Sequence, residues 1–342
     1  MYSPPSCTLN VLRASRAEGI PILDVRAPSE YRRGHIVGAL SLPLFSDEER
    51  AAVGTTYVRK GEQAAIVQGL GYVGRHMEAL ATEALASASP QGEVIVYCAR
   101  GGMRSQSVAW LLETVGLRVR WLEGGYRTYH REMQQIPLQY RLVVLGGGTG
   151  CGKTEVLREM AEIGGQVVDL EALACHRGSV FGAIEGQTQP SGEHFLNLLG
   201  EAFAPLDPAR WVLVEGESAF IGHCALPPQF WHRMQQAPYI TYTIPQADRL
   251  RRIVEDYASQ GAEALKQAFG VLRKRMGAVR SREAMEALDR GDYLYAARLA
   301  LDYYDKAYHK TNPINPVWEL SPRQDDPCRS AMEICSWIEK YL

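Results

Sequence analysis

The residues that could perform chemistry concentrate in two short segments, and the first surrounds a cysteine. The segment EVIVYCARGGMRSQS (93–107) predicts a buried strand that ends at Cys98, then a short loop, then a helix. Gly101 and Gly102 can take positive φ, so that successive N–H groups turn toward one point, while Arg100 and Arg104 add charge. Because nearby cations and a helix N-terminus favour thiolates, we expect a nucleophilic Cys98 with a lowered pKa. The alternative is a buried structural cysteine at a strand end.

The second segment is a glycine-rich loop between an apolar run and a helical stretch. RLVVLGGGTGCGKTEVLREM (141–160) contains the pattern G-x-x-x-x-G-K-[ST] in the strand–loop–helix context that this signature requires. Glycines allow close approach to a phosphate, N–H groups surround it, Lys153 supplies charge, and Thr154 can hold magnesium. A glycine turn without a ligand is the alternative. The pattern predicts a phosphate site formed by Gly147, Gly148, Thr149, Gly150, Cys151, Gly152, Lys153 and Thr154.

Acidic residues end two further apolar runs of the same region. Glu215 and Glu217 lie at the end of the strand predicted over 210–216, and Asp169 lies at the end of the strand predicted over 165–170. The carboxyl ends of parallel strands meet at one edge of a sheet. We therefore expect these carboxylates beside the phosphate loop, acting on magnesium or on a bound water. Alternatively, each is a helix N-cap or a solvated surface group.

A basic helical region follows over residues 246–310. Between residues 249 and 290 it has ten basic and six acidic side chains, whereas the whole chain has a net charge of −2. Such a patch can bind RNA phosphates, with Arg251, Arg252, Arg273, Lys274 and Arg275 as candidate contacts. The alternative is a solvated helical face with i,i+4 ion pairs. A similar choice, between stacking on bases and packing between helices, concerns Tyr293, Tyr295, Tyr303, Tyr304 and Tyr308.

Apolar runs alternate with helical stretches along most of the chain, which predicts an α/β fold with parallel sheets. Pro137 interrupts the helical pattern at MQQIPLQYR (133–141) and marks a domain junction. We therefore predict an N-terminal parallel-sheet domain over 1–137 and a P-loop NTPase-like α/β domain over 138–342, which includes the helical region. The predicted strands cover 19–25, 93–98, 117–125, 141–148, 165–170, 210–216 and 238–244.

Length and composition are those of two ordinary globular domains. The chain has 342 residues, of which 46% are apolar and 22% charged. No apolar run reaches the ~18–20 residues of a membrane helix, and the N-terminus lacks the pattern of a secretory signal. We therefore expect a cytoplasmic protein without a membrane partner, with its seven cysteines as free thiols. The pairs Cys175–His176 and His223–Cys224 lack zinc-finger spacing, which argues against a structural metal.

The N-terminal part resembles a rhodanese domain throughout its length. The resemblance rests on LDVRAPSEYRRGHIVGA (23–39), YCARGGMRSQS (97–107) and LEGGYRTY (122–129). Asp24 and Arg26 match the DVR element of that family, and residues 34–36 match its GHI element, whereas Val37 stands where many relatives have proline. The resemblance implies that Cys98, after the central strand, carries a transferred sulfur or selenium atom.

A rhodanese-like domain followed by a phosphate loop resembles the tRNA 2-selenouridine synthases over nearly the whole chain, including DLEALACHRGSVFG (169–182) and the C-terminal region. The resemblance implies exchange of the sulfur of a 5-substituted 2-thiouridine, at the wobble position of tRNA, for selenium from selenophosphate. It also implies geranylation of that sulfur from geranyl diphosphate as an intermediate step. The phosphate loop then binds geranyl diphosphate, with Mg²⁺, and Arg177 and Ser179 face phosphate oxygens. Cys98, with Arg100 and Arg104, receives or positions selenium.

Two functions of other classes fit the motifs taken singly. One is an ATP-dependent RNA thiolation enzyme or kinase whose rhodanese domain carries sulfur, which nucleotide turnover would favour. The other is a noncatalytic RNA-binding or redox-sensing protein, in which loss of Cys98 would leave tRNA nucleosides unchanged. The order of the two motifs in one chain of this length favours the selenouridine synthase family over both.

Overall fold

The computed structural model describes residues 4–176, 188–260, 262–311 and 316–342. It divides into two compact units: the first contains the chain up to Gln135 together with Ser191–Glu201, and the second contains the remainder. Each unit is built on a five-stranded sheet whose neighbouring strands all pair in parallel. The α/β fold class predicted from the sequence is therefore confirmed.

The first unit has the strand order β1-β5-β4-β2-β3. Its strands are Ser6–Cys7 (β1), Ile22–Asp24 (β2), Leu40–Ser41 (β3), Glu93–Tyr97 (β4) and Arg118–Leu122 (β5). Its helices are Leu9–Ala17 (α1), Pro28–Arg33 (α2), Asp47–Lys60 (α3), Glu62–Val73 (α4), Met77–Ser87 (α5), Met103–Thr114 (α6) and Gly125–Gln135 (α7). The middle strand, β4, is buried from Val94 to Tyr97 without polar alternation, as expected for a parallel strand covered on both faces. Cys98 therefore follows the centre of this sheet.

The second unit has the strand order β12-β11-β6-β8-β7, with a separate antiparallel pair formed by β9 and β10. Its strands are Arg141–Gly146 (β6), Val167–Val168 (β7), Trp211–Glu215 (β8), Phe220–Ile221 (β9), Cys224–Ala225 (β10), Tyr239–Tyr242 (β11) and Trp318–Leu320 (β12). The glycine-rich loop follows β6, which pairs with β8 on one side and β11 on the other. The loop thus lies at the carboxyl edge of the central strand, the usual ligand position in open parallel sheets.

The helices of the second half of the chain include a group around the sheet of the second unit and a helical layer. They are Lys153–Glu162 (α8), Leu170–Leu173 (α9), Gly192–Phe203 (α10), Pro228–Gln236 (α11), Gln246–Gln260 (α12), Ala262–Met276 (α13), Ala278–Asp289 (α14), Tyr293–Thr311 (α15) and Pro327–Tyr341 (α16). Helices α12 to α15 form the helical layer, and they share a core that includes Leu265, Phe269, Ala297 and Leu301, all at most 1% exposed. The helical region predicted over 246–310 is thus four helices that pack on one another.

Residues 191–201, most of α10, pack with the first unit although they lie far along the chain from it. Asn197 is fully buried there. Its Nδ2 donates to the His35 carbonyl at 3.0 Å and to the Tyr126 hydroxyl at 2.9 Å, and its Oδ1 lies 2.7 Å from His130 Nδ1. Glu201 pairs with Arg16. A buried amide is stable only when its hydrogen bonds are satisfied, so these contacts fix the segment to that unit. The boundary expected at 137/138 does not anticipate this segment.

Several short strands differ from the sequence-based expectations. Strands β1, β3, β9, β10 and β12 were not predicted, because two or three residues are too few to show an alternating pattern. In the first unit, residues 74–76 separate α4 from α5.

Candidate functional site

The Cys98 thiol lies inside a cradle of hydrogen-bond donors formed by the turn between β4 and α6. Its Sγ is 3.3 Å from the Ser105 hydroxyl, and the backbone N–H groups of Arg100 and Gly102 also donate to it. The N-terminus of α6, which begins at Met103, adds the positive end of the helix dipole. The loop and the helix start that the sequence predicted therefore converge on one sulfur atom.

The electrostatic balance at this sulfur lowers the pKa of the thiol. Burial, which leaves Cys98 only 3% exposed, works to raise the pKa of the thiol. The hydrogen bond from Ser105, the two backbone N–H groups and the charge of Arg104 outweigh burial and hold the pKa below its ordinary value. A thiolate stabilised in this way is the form that attacks an electrophile or carries a chalcogen atom.

The two arginines of the loop have different roles. Arg104 is held by the carboxylate of Glu30, which lies in α2, at 3.1 Å from Nη1 to Oε2. This contact fixes the guanidinium near the thiol, where its charge lowers the pKa of Cys98. Arg100 is exposed, and it contributes its backbone N–H to the sulfur. The expectation that both side chains charge the site therefore applies to Arg104, whose charge acts on the thiol, whereas the Arg100 side chain faces solvent.

The two loop glycines, Gly101 and Gly102, differ in backbone conformation. Gly101 has φ of +65°, and a Cβ there would lie 2.5 Å from the Leu122 carbonyl oxygen, so only glycine fits. Gly102 has φ of −107° and is the N-cap residue of α6, so the expectation of a positive φ at this position is wrong. The second left-handed position comes instead from Gly125 (φ +56°), whose missing Cβ makes room for the Cys98 carbonyl.

A buried ion pair between Arg26 and Asp24 helps to position the loop that carries Cys98. Arg26 binds the carboxylate of Asp24 through Nε and Nη2, and both side chains are at most 3% exposed. The Tyr97 hydroxyl donates to the same carboxylate at 2.7 Å. The guanidinium carbon also lies 3.8 Å from the ring centre of Tyr126, whose N–H donates to the Cys98 carbonyl at 2.9 Å. The DVR element therefore positions the loop and does not touch the sulfur.

The phosphate loop of the second unit has the geometry of an anion site. Gly150 and Gly152 take φ of +77° and +83°, which turns the backbone around the loop. The Lys153 ammonium reaches back to the Gly147 carbonyl at 2.9 Å, across the mouth of the loop. Burial works to lower the pKa of Lys153, but Cys151 and nearby carboxylates outweigh it and keep the pKa above its usual value. The lysine therefore remains charged and available to a phosphate.

Three glutamates lie beside this loop. Glu215, fully buried at the end of β8, accepts from the Thr154 hydroxyl at 3.2 Å and from the backbone N–H of Glu171 at 3.4 Å. Burial raises the pKa of Glu215, and the charge of Asp169 adds to the effect. Burial likewise raises the pKa of Glu171, and the charges of Glu215 and Glu217 add to the effect. Their raised pKa values favour the protonated form of Glu171 and Glu215, unless a cation or an N–H donor offsets the charge.

The other acidic and phosphate-binding candidates from the sequence differ in their outcomes. Glu217 lies in the cluster as expected, since it hydrogen-bonds with Glu171. Asp169 is the N-cap of α9 and accepts from the Ala172 N–H at 2.8 Å, which is the structural alternative given for it above. Arg177 and Ser179 lie outside the described residues.

Carboxylates hold the arginines at the start of α12. Arg252 binds both oxygens of Asp325 at 2.8 Å, and Arg251 binds Asp325 at 3.2 Å and Asp248 at 3.3 Å. Arg249, which the sequence did not single out, donates to the Thr149 carbonyl and to Asp305. Arg251 and Arg252 are therefore already paired with carboxylates, which weakens the interpretation that they contact RNA.

Three other RNA candidates are exposed. Arg273, Lys274 and Arg275 end α13, and within the described part of the chain no ion pair involves them. Tyr293, Tyr303 and Tyr304 are partly buried against the core of the helical layer, so packing accounts for them. Tyr295 is 39% exposed, while the side chain of Tyr308 lies outside the described residues.

The cysteine–histidine pairs approach one another in the fold. The charge of Cys175 contributes to the raised pKa of Cys224, after burial, and His223 contributes to the lowered pKa of His176, again after burial. Among residues 4–176, 188–260, 262–311 and 316–342, no group of three or more His, Cys, Asp or Glu side chains is arranged to hold a metal ion. All seven cysteines are free thiols.

Sequence reasoning missed four residues of these sites. Ser105 and Glu30 lie within the segments 97–107 and 23–39, but no local spacing marks Ser105 as a partner of Cys98 or Glu30 as a partner of Arg104. Glu171 follows the predicted carboxylate Asp169 by two residues, and its position beside the sheet edge was the available clue. Arg249 was hidden in a basic stretch that was interpreted as an RNA-binding surface.

Comparisons with known proteins match two domains along the chain. Residues 140–313 match the family model described as "tRNA 2-selenouridine synthase AAA domain", and residues 9–132 match the "Rhodanese-like domain". The chain is 33% identical to the tRNA 2-selenouridine synthase of Shewanella frigidimarina, over 95% of each chain. It is 39% identical to that of Cupriavidus pinatubonensis, over 79% of this chain and 75% of the relative.

A solved structure also matches, at a low level. It is the full-length tRNA isopentenylpyrophosphate transferase of Bacillus halodurans, with 15% identity and a TM-score of 0.30, over 58% of this chain and 95% of that one. Likeness at this level says nothing about activity. In the described part of the chain, every helix is too short or too polar to cross a bilayer.

Proposed function

The chain belongs to the tRNA 2-selenouridine synthase family, and from this premise we propose that it replaces the sulfur of a 5-substituted 2-thiouridine in tRNA by selenium. Selenophosphate supplies the selenium, and the sulfur is first geranylated from geranyl diphosphate. Because tRNA is the substrate, the reaction belongs to the cytoplasm. The observation that carries the proposal is the presence in one chain of a thiolate cradle at Cys98 and a lysine-bearing phosphate loop at Gly147–Thr154.

The phosphate loop suits a diphosphate leaving group. In geranyl transfer the thiocarbonyl sulfur attacks C1 of the prenyl chain, a C–S bond forms, and the C–O bond breaks with its electron pair going to the diphosphate. Lys153 and the loop N–H groups stabilise the charge that develops on that leaving group. Alkylation turns a poor leaving group, the thiocarbonyl sulfur, into a better one. The loop therefore serves the first step of the exchange.

Mg²⁺ fits this site only together with the diphosphate. Thr154 and Glu215, whose side-chain oxygens lie 3.2 Å apart, are the residues that would hold it. A bound magnesium ion supplies charge neutralisation for phosphate oxygens. Among the described residues no group of three His, Cys, Asp or Glu side chains is arranged to hold a metal ion, so phosphate oxygens and water would complete the coordination.

The Cys98 cradle suits the selenium step. Its N–H donors and Arg104 stabilise an anion, whether a thiolate, a selenide or the oxygens of selenophosphate. Cys98 receives or positions the selenium that replaces the geranylated sulfur. The exposed basic residues Arg273, Lys274 and Arg275 are the RNA contacts that we retain from the sequence, because within the described residues no acidic partner holds them.

The test is nucleoside mass spectrometry of tRNA treated with the purified chain, geranyl diphosphate and selenophosphate. Cys98→Ala should abolish 2-selenouridine while S-geranylated nucleoside remains detectable, and Lys153→Ala should suppress geranylation first. Cys328→Ala, at an exposed thiol outside both sites, is the control. Selenouridine formed at the normal rate by Cys98→Ala would refute the role given to the thiol. ATP turnover that depends on Lys153, without geranylation, would favour a thiolation enzyme or kinase.

A further inference from the structure

Helix α12 lies against the phosphate loop at each of its three alternate glycines. A Cβ at Gly148 would lie 2.7 Å from Nη2 of Arg249, and one at Gly150 would lie 2.9 Å from a side-chain carbon of Ile253. A Cβ at Gly152 would lie 2.8 Å from the guanidinium carbon of Arg252. The glycines of the loop therefore make room for this helix as well as for a phosphate, and two guanidinium groups touch the loop.

Arg249 is the more deeply placed of these arginines, with its side chain 11% exposed. Its Nε donates to the Thr149 carbonyl at 2.9 Å, and its Nη1 and Nη2 donate to Asp305 at 3.2 and 2.5 Å. Asp305 lies in α15, so this pair joins the loop to the helical layer. Of the five N–H groups of a guanidinium, three are used by these bonds, and among the described residues no acceptor is recorded for the other two.

Arg252 differs from Arg249 in its partners. It is bound by both oxygens of Asp325 and by Glu155, at 2.8, 2.8 and 3.1 Å, so two carboxylates neutralise it. Arg249 has one carboxylate and one neutral carbonyl. A phosphate oxygen is a stronger acceptor than a backbone carbonyl and competes with a carboxylate for an arginine fork. Arg249 is therefore the residue that an incoming anion can recruit.

We propose that Arg249 is a phosphate-binding residue of this loop, held by Asp305 in the free protein and shared with a phosphate oxygen when a diphosphate binds. The inference rests on the proposed function, because it assumes that the loop binds a diphosphate. It adds a ligand contact from the helical layer to a site that otherwise consists of the loop and Lys153. Asp305 then competes with the ligand for Arg249. The proposal therefore predicts that removal of the Asp305 charge strengthens diphosphate binding.

The test is isothermal titration of the full chain with inorganic pyrophosphate at pH 7.5. Arg249→Gln should weaken the pyrophosphate affinity at least tenfold, because a charge-assisted bond to phosphate is lost. Asp305→Asn should strengthen it two- to tenfold, because the guanidinium is released from its carboxylate. Arg329→Gln and Glu333→Gln, which break an exposed arginine–carboxylate pair on α16, are the matched controls and should leave the affinity within twofold.

The outcomes separate the inference from the proposed function. If Lys153→Ala binds pyrophosphate as well as the unchanged chain, the loop is not the diphosphate site and both ideas fail. If Lys153→Ala loses affinity while Arg249→Gln retains it, the inference alone is overturned. A weakening in Asp305→Asn equal to that in Arg249→Gln also overturns it, since the pair would then only support the fold. Should Arg249→Gln fail to fold, the sign of the Asp305→Asn effect still decides.

Discussion

Replacement of Ser105 by alanine is expected to make Cys98 a weaker nucleophile at neutral pH. The Ser105 hydroxyl lies 3.3 Å from the sulfur and is the largest of the contributions that lower the pKa of the thiol. Ser105 is itself fully buried, and its Oγ also lies 3.1 Å from the Gly102 carbonyl, which is the alternative acceptor for its single proton. Alanine removes the bond to sulfur and leaves the helix start in place.

The size of the effect follows from the hydrogen bond that is lost. A bond to a charged group contributes about 1.5 kcal/mol at the lower end of its range, which corresponds to a rise of about one unit in the pKa of Cys98. Below its pKa the thiol then has about tenfold less thiolate at a given pH. Each thiolate is about threefold more nucleophilic because it is more basic. The net expectation is a rate about three- to fourfold lower near pH 7.

The assay is modification by methyl methanethiosulfonate between pH 5 and 10, followed on the peptide that contains Cys98, because the chain has six other cysteines. The rate profile should shift upward by about one pH unit in Ser105→Ala. Ser107→Ala is the matched control: its exposed hydroxyl donates to the Arg104 carbonyl in the same helix and does not contact the sulfur. A profile that stays in place in Ser105→Ala, or that moves equally in Ser107→Ala, would show that the cradle does not tune the thiol as argued.

Three further predictions concern stability. Burial raises the pKa of Glu171 in the folded protein. The free energy of unfolding therefore has its full value below the unfolded pKa of ~4.3 and falls as pH rises toward the folded pKa. Glu171→Gln should raise the melting temperature by a few degrees more at pH 8 than at pH 5.5. Asn197→Ala strands buried hydrogen-bond partners and should lower the urea-derived free energy of unfolding by about 2 kcal/mol. Gly101→Ala should destabilise the protein and slow modification of Cys98, whereas Gly102→Ala, with open space at its Cβ, should change the melting temperature little.

The chemical types at both sites could be predicted because each motif is contiguous. The loop after β4 and the loop after β6 are fixed by glycine conformation, strand ends and helix starts, which are local properties of a few residues. The parallel α/β class followed from uninterrupted apolar runs such as 93–97, since a strand covered on both faces has no polar alternation. Gly102 shows the limit of this reasoning: either glycine can adopt a left-handed conformation, and only packing against Leu122 and Gly125 decides that Gly101 does so.

Tertiary structure alone decided which distant side chains complete those loops. Glu30 reaches Arg104 over 74 positions of the chain, and Arg249 reaches Thr149 over 100. Such contacts depend on the packing of whole elements, which a local pattern of residue types does not record. The amino-acid sequence by itself determined the positions of the two loops, one that follows β4 at Cys98 and one that is rich in glycine and follows β6. The fold decided how strongly each anion is held, because the free energy of a charge depends on every group that surrounds it, whatever its distance along the chain.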